Sequence, residues 1–123
     1  MSTSKGVNPM KKDTFYLCEF KKGNKSVIAR KVSGYSEGVI GLRNDNPTDD
    51  KSLDSWIATH IPTGTKLKRT EETYKTKRQA LNAALNIMAT MPDFNTTVDE
   101  FFESEYGKQF VESRYEQEKT KIF

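Results

Sequence analysis

The sequence predicts an α+β fold: an antiparallel sheet of about five strands, then a buried helix, then an amphipathic C-terminal helical segment. Three observations carry this. Residues 13–74 alternate aromatic and β-branched runs with clusters of Gly, Asn, Asp and Pro, the pattern of short strands and turns. From residue 76 the apolar spacing changes from that of a strand to that of a helix. Charge divides at nearly the same place: residues 1–80 hold sixteen Lys and Arg against nine Asp and Glu, and the remainder holds four against eight. Strands first and helices afterwards point to packed layers rather than to a βαβ sheet.

Each element follows from its residues. Residues 13–20 (Asp-Thr-Phe-Tyr-Leu-Cys-Glu-Phe) form a first strand, residues 21–25 a turn and residues 26–32 the returning strand of a hairpin. Gly34-Tyr35-Ser36 is read as a second turn, and residues 38–42 as a short strand weakened by Gly38 and Gly41. Residues 44–51 are a polar loop whose carboxylates lack the spacing of a calcium site. A fourth strand, 54–61, carries Trp56. Pro62-Thr63-Gly64 is a tight turn, and 65–74 a fifth, polar strand.

Thr76 and Gln79 have the spacing of a capping box, which starts a helix over residues 77–91 ended by Pro92. Its polar stripe, Asn82, Asn86 and Thr90, is narrow, so the helix is expected to be covered on two sides, by the sheet and by the C-terminal segment. Leu81, Leu85 and Met88 are its expected buried residues. Thr97 and Glu100 offer a second capping box. Val98, Phe101, Phe102, Tyr106, Phe110, Val111 and Tyr115 continue at helical spacing, with a break expected near Ser104 and Gly107.

Residues 13–123 are thus one α+β domain, behind an N-terminal extension, residues 1–12, expected to be flexible. The apolar fraction is only 34%, but Trp56, seven Phe and five Tyr bury enough area to fold the chain. A single cysteine, Cys18, excludes an intrachain disulfide and suits a reducing cytoplasm. No apolar run approaches a membrane span, and the N-terminus lacks the apolar stretch of a signal peptide. A cytoplasmic protein without membrane contact is expected.

The chemistry-bearing residues argue against an enzyme. His60 has no pattern of partners around it to form a triad or a metal site, and reads as an imidazole hydrogen-bonded in a turn. Cys18 lies inside an apolar strand and reads as core. The carboxylates of residues 99–118 read as the solvated side of an aromatic helix, or as a face for a basic partner. No catalytic residue, metal site or small-molecule cofactor is expected.

Two basic segments remain. Lys66, Lys68 and Arg69 lie on the fifth strand, and Lys75, Lys77 and Arg78 surround the start of the helix. Cations there oppose the helix dipole, an arrangement that a bound anion would make favourable; lysines also keep an edge strand soluble. Lys21, Lys22, Lys25, Arg30 and Lys31, near Tyr16 and Tyr35, form a second stripe with the composition of a single-strand nucleic-acid surface or of a solvated hairpin.

The stretch from Trp56 through Gly64, followed by a strand and Thr76-Lys77-Arg78-Gln79-Ala80, resembles a hairpin-then-helix pattern found in many small uncharacterised proteins of phages and mobile elements of low-GC bacteria. The resemblance implies genomic company and no family. The expected function is a small non-enzymatic accessory protein of phage or mobile-element origin. It would bind nucleic acid through the basic sheet and helix start, with Arg30, Lys31, Lys66, Lys68, Arg69, Lys75, Lys77 and Arg78 as contacts. The alternative is a protein-binding inhibitor or adaptor that blocks a host nucleic-acid-processing or defence enzyme, of the anti-CRISPR or anti-restriction type. The partner is then nucleic acid or a protein that handles it.

Overall fold

A computed structural model describes residues 10–21, 26–67 and 74–120. Five antiparallel strands, β1 (Lys11–Phe20), β2 (Val27–Glu37), β3 (Ile40–Asn44), β4 (Trp56–His60) and β5 (Thr65–Lys66), form one curled sheet in sequence order. Three helices follow: α1 (Lys77–Thr90), α2 (Phe94–Glu103) and α3 (Glu105–Thr120). The α+β class and its strands-then-helices order are those the sequence predicts. Strand β1 starts two residues earlier than expected, so Lys11 and Lys12 belong to the sheet. The expected turn at residues 22–25 and most of the expected fifth strand, residues 68–73, lie outside the described residues. Tyr74 is bridged to Trp56.

The clearest departure is in β2. Gly34-Tyr35-Ser36 is not a turn but the continuation of this strand, and the chain reverses at Gly38 and Val39 instead. Strand β2 pairs with β1 along its length, from Val27 to Ser36, but with β3 only over Tyr35–Glu37. Gly34 lies where the two strands converge: a Cβ there would come within 2.3 Å of the Leu42 carbonyl oxygen. A glycine that reads as a turn signal is in fact a close approach between strands. The outcome is a β2 segment whose second edge has no strand against it.

Helix α3 fills that edge. The backbone N–H of Val27 donates to Gln109 Oε1 at 2.8 Å, and that of Ala29 to Ser113 Oγ at 3.1 Å. Gln117 Nε2 donates to the Ala29 carbonyl at 2.6 Å. Residues 109, 113 and 117 are spaced by four, so they form one polar row along the helix. Beside this row Phe110 is fully buried among Tyr16, Val27 and Ala29.

Strand alternation and register place Tyr16, Cys18, Val27, Ala29, Tyr35, Ile40, Leu42, Ala58 and His60 on one face of the sheet. All three helices lie on this face. Helix α1 packs Ala80, Leu81 and Ala84 on Ile40, Leu42, Ala58 and Leu67. On the opposite face Phe15 and Leu17 are buried, with the Phe15 ring lying against Gly41, where no side chain stands in the way. The sheet closes further at Gly64, whose φ is 70° and whose carbonyl accepts from the Cys18 N–H at 2.9 Å. A Cβ at Gly64 would meet the Cys18 nitrogen and the Phe110 ring, each at 2.7 Å.

The expectation that α1 is covered on two sides is not met. Leu81 is buried, Met88 half-buried, and Leu85 remains 46% exposed. The C-terminal segment does not cover this helix, because α3 is held at the β2 edge by backbone groups that need partners. The Thr76–Gln79 capping box forms as expected: Thr76 Oγ1 accepts from the Gln79 N–H at 3.1 Å, and Gln79 Oε1 from the Lys75 N–H at 3.0 Å. The second expected box does not. Helix α2 begins at Phe94 behind Asp93, which makes no side-chain cap, and Thr97 lies inside its first turn. Phe94 is drawn in by packing, its ring 5.2 Å from that of His60. Ser104 does separate two helices: its Oγ donates to the Phe101 carbonyl at 2.6 Å and accepts from the Gly107 N–H at 3.0 Å.

These positions set opposite outcomes for two apolar truncations. Phe110→Ala should cost about 3–5 kcal/mol in a denaturant titration, as for a fully buried aromatic. Leu85→Ala should stay within about 0.5 kcal/mol of the parent, as for a surface site.

Candidate binding surface

The cations singled out in the sequence do not form one surface. Arg30 and Lys66 stand on the sheet face away from the helices, while Lys31 stands on the helix face, opposite Tyr16. Lys68 and Arg69 lie outside the described residues. Around the start of α1 the three cations diverge. Lys75 Nζ donates to the Ser52 carbonyl at 3.0 Å, and Lys77 Nζ lies 3.8 Å above the Tyr35 ring centroid. Arg78 is exposed. The helix-start amides are met by the capping box described above, so the free amides and converging cations of an anion site are not assembled there.

Lys77 marks a different site. Its ammonium is also 5.8 Å from the Trp56 centroid, and the Tyr35 and Trp56 rings are 6.1 Å apart at 52°. A cation over two aromatic faces is held by their quadrupoles. Both rings are half-buried, with part of each facing solvent. They stand at one end of a strip of sheet that neither α1 nor α3 covers. Lys12 is paired with Tyr35, Thr14 with Ser33 and Tyr16 with Lys31, which places Lys12, Thr14, Lys31 and Ser33 along this strip. A groove of about 620 Å³ runs there, lined by Lys12, Asp13, Thr14, Ser33, Gly34 and Tyr35.

The sequence alone points to Lys31, Lys77 and the nearby Tyr35, but not to their grouping. It places Lys12 in the extension and gives Trp56 a role in strand packing alone. The continuation of β2 through Gly34 is what brings Tyr35 beside Lys12. Tyr16, the other aromatic of the stripe, is buried with its hydroxyl bonded to Glu118, and offers no face for stacking. A second groove, about 750 Å³, lies between β2 and α3; Lys21, Arg30 and Lys31 face Glu112 and Glu116 across it, so its charge is mixed.

His60 and Cys18 take the structural roles expected of them. His60 is buried, with Nδ1 2.8 Å from Thr63 Oγ1, and burial lowers its pKa below the ordinary histidine value. Burial raises the Cys18 thiol pKa, the reverse of an activated nucleophile. Among the described residues no group of three His, Cys, Asp or Glu side chains could hold a metal ion. No helix among them is long and apolar enough to cross a membrane.

No family model matches the chain, and no curated protein or solved structure matches it either.

The His60 environment fixes the sign of one pH effect. Its folded pKa is depressed, so the unfolded chain takes up a proton first. The stability from neutral His60 is complete above the ordinary histidine pKa of about 6.5 and is lost as pH falls below it. Denaturant midpoints should therefore drop between about pH 7.5 and about pH 5, and His60→Gln should flatten that drop. An equal drop in both proteins would assign it to other groups.

Proposed function

We propose that the protein is a non-enzymatic binding protein that takes single-stranded nucleic acid along the strip from Lys31 to Trp56. The observation that carries the reading is the Lys77 ammonium held 3.8 Å above Tyr35, with Trp56 alongside. Aromatic faces stack on bases of any identity, and neighbouring cations contact the phosphates between them. Here Tyr35 and Trp56 supply the faces, while Lys12, Lys31 and Lys77 supply the charge. Thr14 and Ser33 add hydroxyls that can donate to phosphate or sugar oxygens. Lys77 has two roles: it covers the rings in the free protein, and it swings to a phosphate when a base replaces it. Such a protein would act in the cytoplasm, where Cys18 stays a thiol.

One observation favours a protein partner instead. Phe102, Val111 and Tyr115 form an apolar patch on the outer side of α2 and α3, beside Lys108 and Glu112. Tyr115 is 63% exposed. On that reading α3 is a docking face for a nucleic-acid-handling or defence enzyme, and the chain is its inhibitor or adaptor.

Trp56 is the only tryptophan, so its emission reports directly on the site. Short single-stranded DNA or RNA should quench it at low salt. Tyr35→Ala should cost about 1–3 kcal/mol of binding, the worth of one stacked base. Removing Lys12 or Lys31 should lower the slope of log K against log salt by about 0.7 for each phosphate left without its lysine. If no oligonucleotide binds at low salt while Tyr115→Ala abolishes capture of a host enzyme, the adaptor reading replaces this one.

A further inference from the structure

The sheet face turned away from the helices carries a charge cluster of its own. Arg30 is paired with Leu17, Arg43 with Ile57 and Lys66 with Thr59, which puts Glu19, Arg30, Arg43, Thr59 and Lys66 on this one face. Arg43 has no counterpart among the sequence-based site residues. Gly34 leaves room for it: a Cβ at Gly34 would lie 3.3 Å from that of Arg43. Arg30 Nη2 is 2.8 Å from Glu19 Oε2, and Arg43 Nη1 is 3.1 Å from Asp45 Oδ1. The hydrogen bond from Arg30 and the charges of Arg30, Arg43 and Lys66 together hold the Glu19 carboxyl below its ordinary pKa. All three cations therefore act on one point.

The cluster has more donors than its own carboxylates use. A guanidinium has five N–H groups. The Nε of Arg43 is buried without a partner, and so is the hydroxyl of Thr59, a residue that is 0% exposed. Buried donors without partners are rare and call for an acceptor. Lys66 is exposed and makes no hydrogen bond or ion pair among the described residues.

We propose that this face binds a phosphate group, with Arg30, Arg43 and Lys66 as its cationic contacts and Glu19 and Asp45 as internal competitors. Phosphate fits better than a carboxylate. Three cations stand against two carboxylates, and two of the cations are planar guanidiniums whose forks match phosphate oxygens. A phosphate monoester brings three acceptor oxygens and close to two negative charges. Arg43 Nε and Lys66 can reach it without breaking either ion pair, and Arg30 joins as Glu19 swings outward. The site lies across the sheet from Tyr35 and Trp56, so it stands or falls apart from the single-strand reading.

The test is a titration of the full chain with inorganic phosphate at low ionic strength, followed at the Arg43 Nε–Hε resonance. Phosphate should shift that resonance saturably, and chloride at equal ionic strength should not. Lys66→Met should weaken phosphate about three- to ten-fold, the loss of one charge-assisted hydrogen bond. Glu19→Gln should strengthen it about two- to five-fold by removing the competitor. Neither residue is in the core, and the backbone amide spectrum checks that both variants fold. An unmoved resonance, an equal response to chloride, or unchanged affinity in both variants would overturn the site.

Discussion

Strand β2 has a hydrogen-bonding partner along one edge but lacks one along most of the other, and the rest of the molecule is arranged around that fact. A backbone amide turned inward without a partner costs as much as a lost hydrogen bond. At Val27 and Ala29 the partners come from α3, through Gln109, Ser113 and Gln117. Side chains thus do the work of a missing strand, and they also block the edge against pairing with another chain. Phe110 stands beside them and supplies the apolar burial that keeps the helix in place.

Anchoring α3 at β2 decides where the other helices can be. Helix α1 has to cover Ile40, Leu42 and Ala58 by itself, and it does so with one face, leaving Leu85 in solvent. The two helices leave a strip of sheet open between them. Along it the apolar side chains give way to Lys12, Thr14, Lys31 and Ser33, ending at the Tyr35–Trp56 pair under Lys77. A binding strip between two helix footprints needs no loop to shape it; the spacing of the helices is enough. The opposite face is closed largely by the sheet's own curl, and only its rim, at Arg30 and Lys66, is charged and accessible.

Much of this is legible in the chain. Aromatic alternation marks β1, the Thr76–Gln79 spacing marks the start of α1, and Ser104 marks the break between α2 and α3. Local chemistry decides each of these. The failures share one cause. Gly34 looks like a turn residue because glycine favours turns, but its role here is to let two backbones approach, which only tertiary structure reveals. With Gly34 taken as a turn, the length of β2, its open edge and the position of α3 are all hidden, and with them the grouping of Lys12, Tyr35 and Lys77. Arg43 can be found from alternation alone, since Ile40 and Leu42 point to the core and Gly41 and Arg43 therefore point away. The breadth of the apolar surface of α1 is plain in the sequence, but the segment expected to cover it is already committed to β2.

Amide hydrogen exchange at Val27 and Ala29 tests the central claim most directly. Their protons point away from β1, toward α3. If Gln109 and Ser113 close this edge, both amides should exchange as slowly as those bonded between β1 and β2, and Gln109→Ala should release Val27 while leaving Ala29 protected. Fast exchange at both amides in the intact protein would mean that the edge is open, and would contradict this account of how α3 is held and of the strip it leaves uncovered.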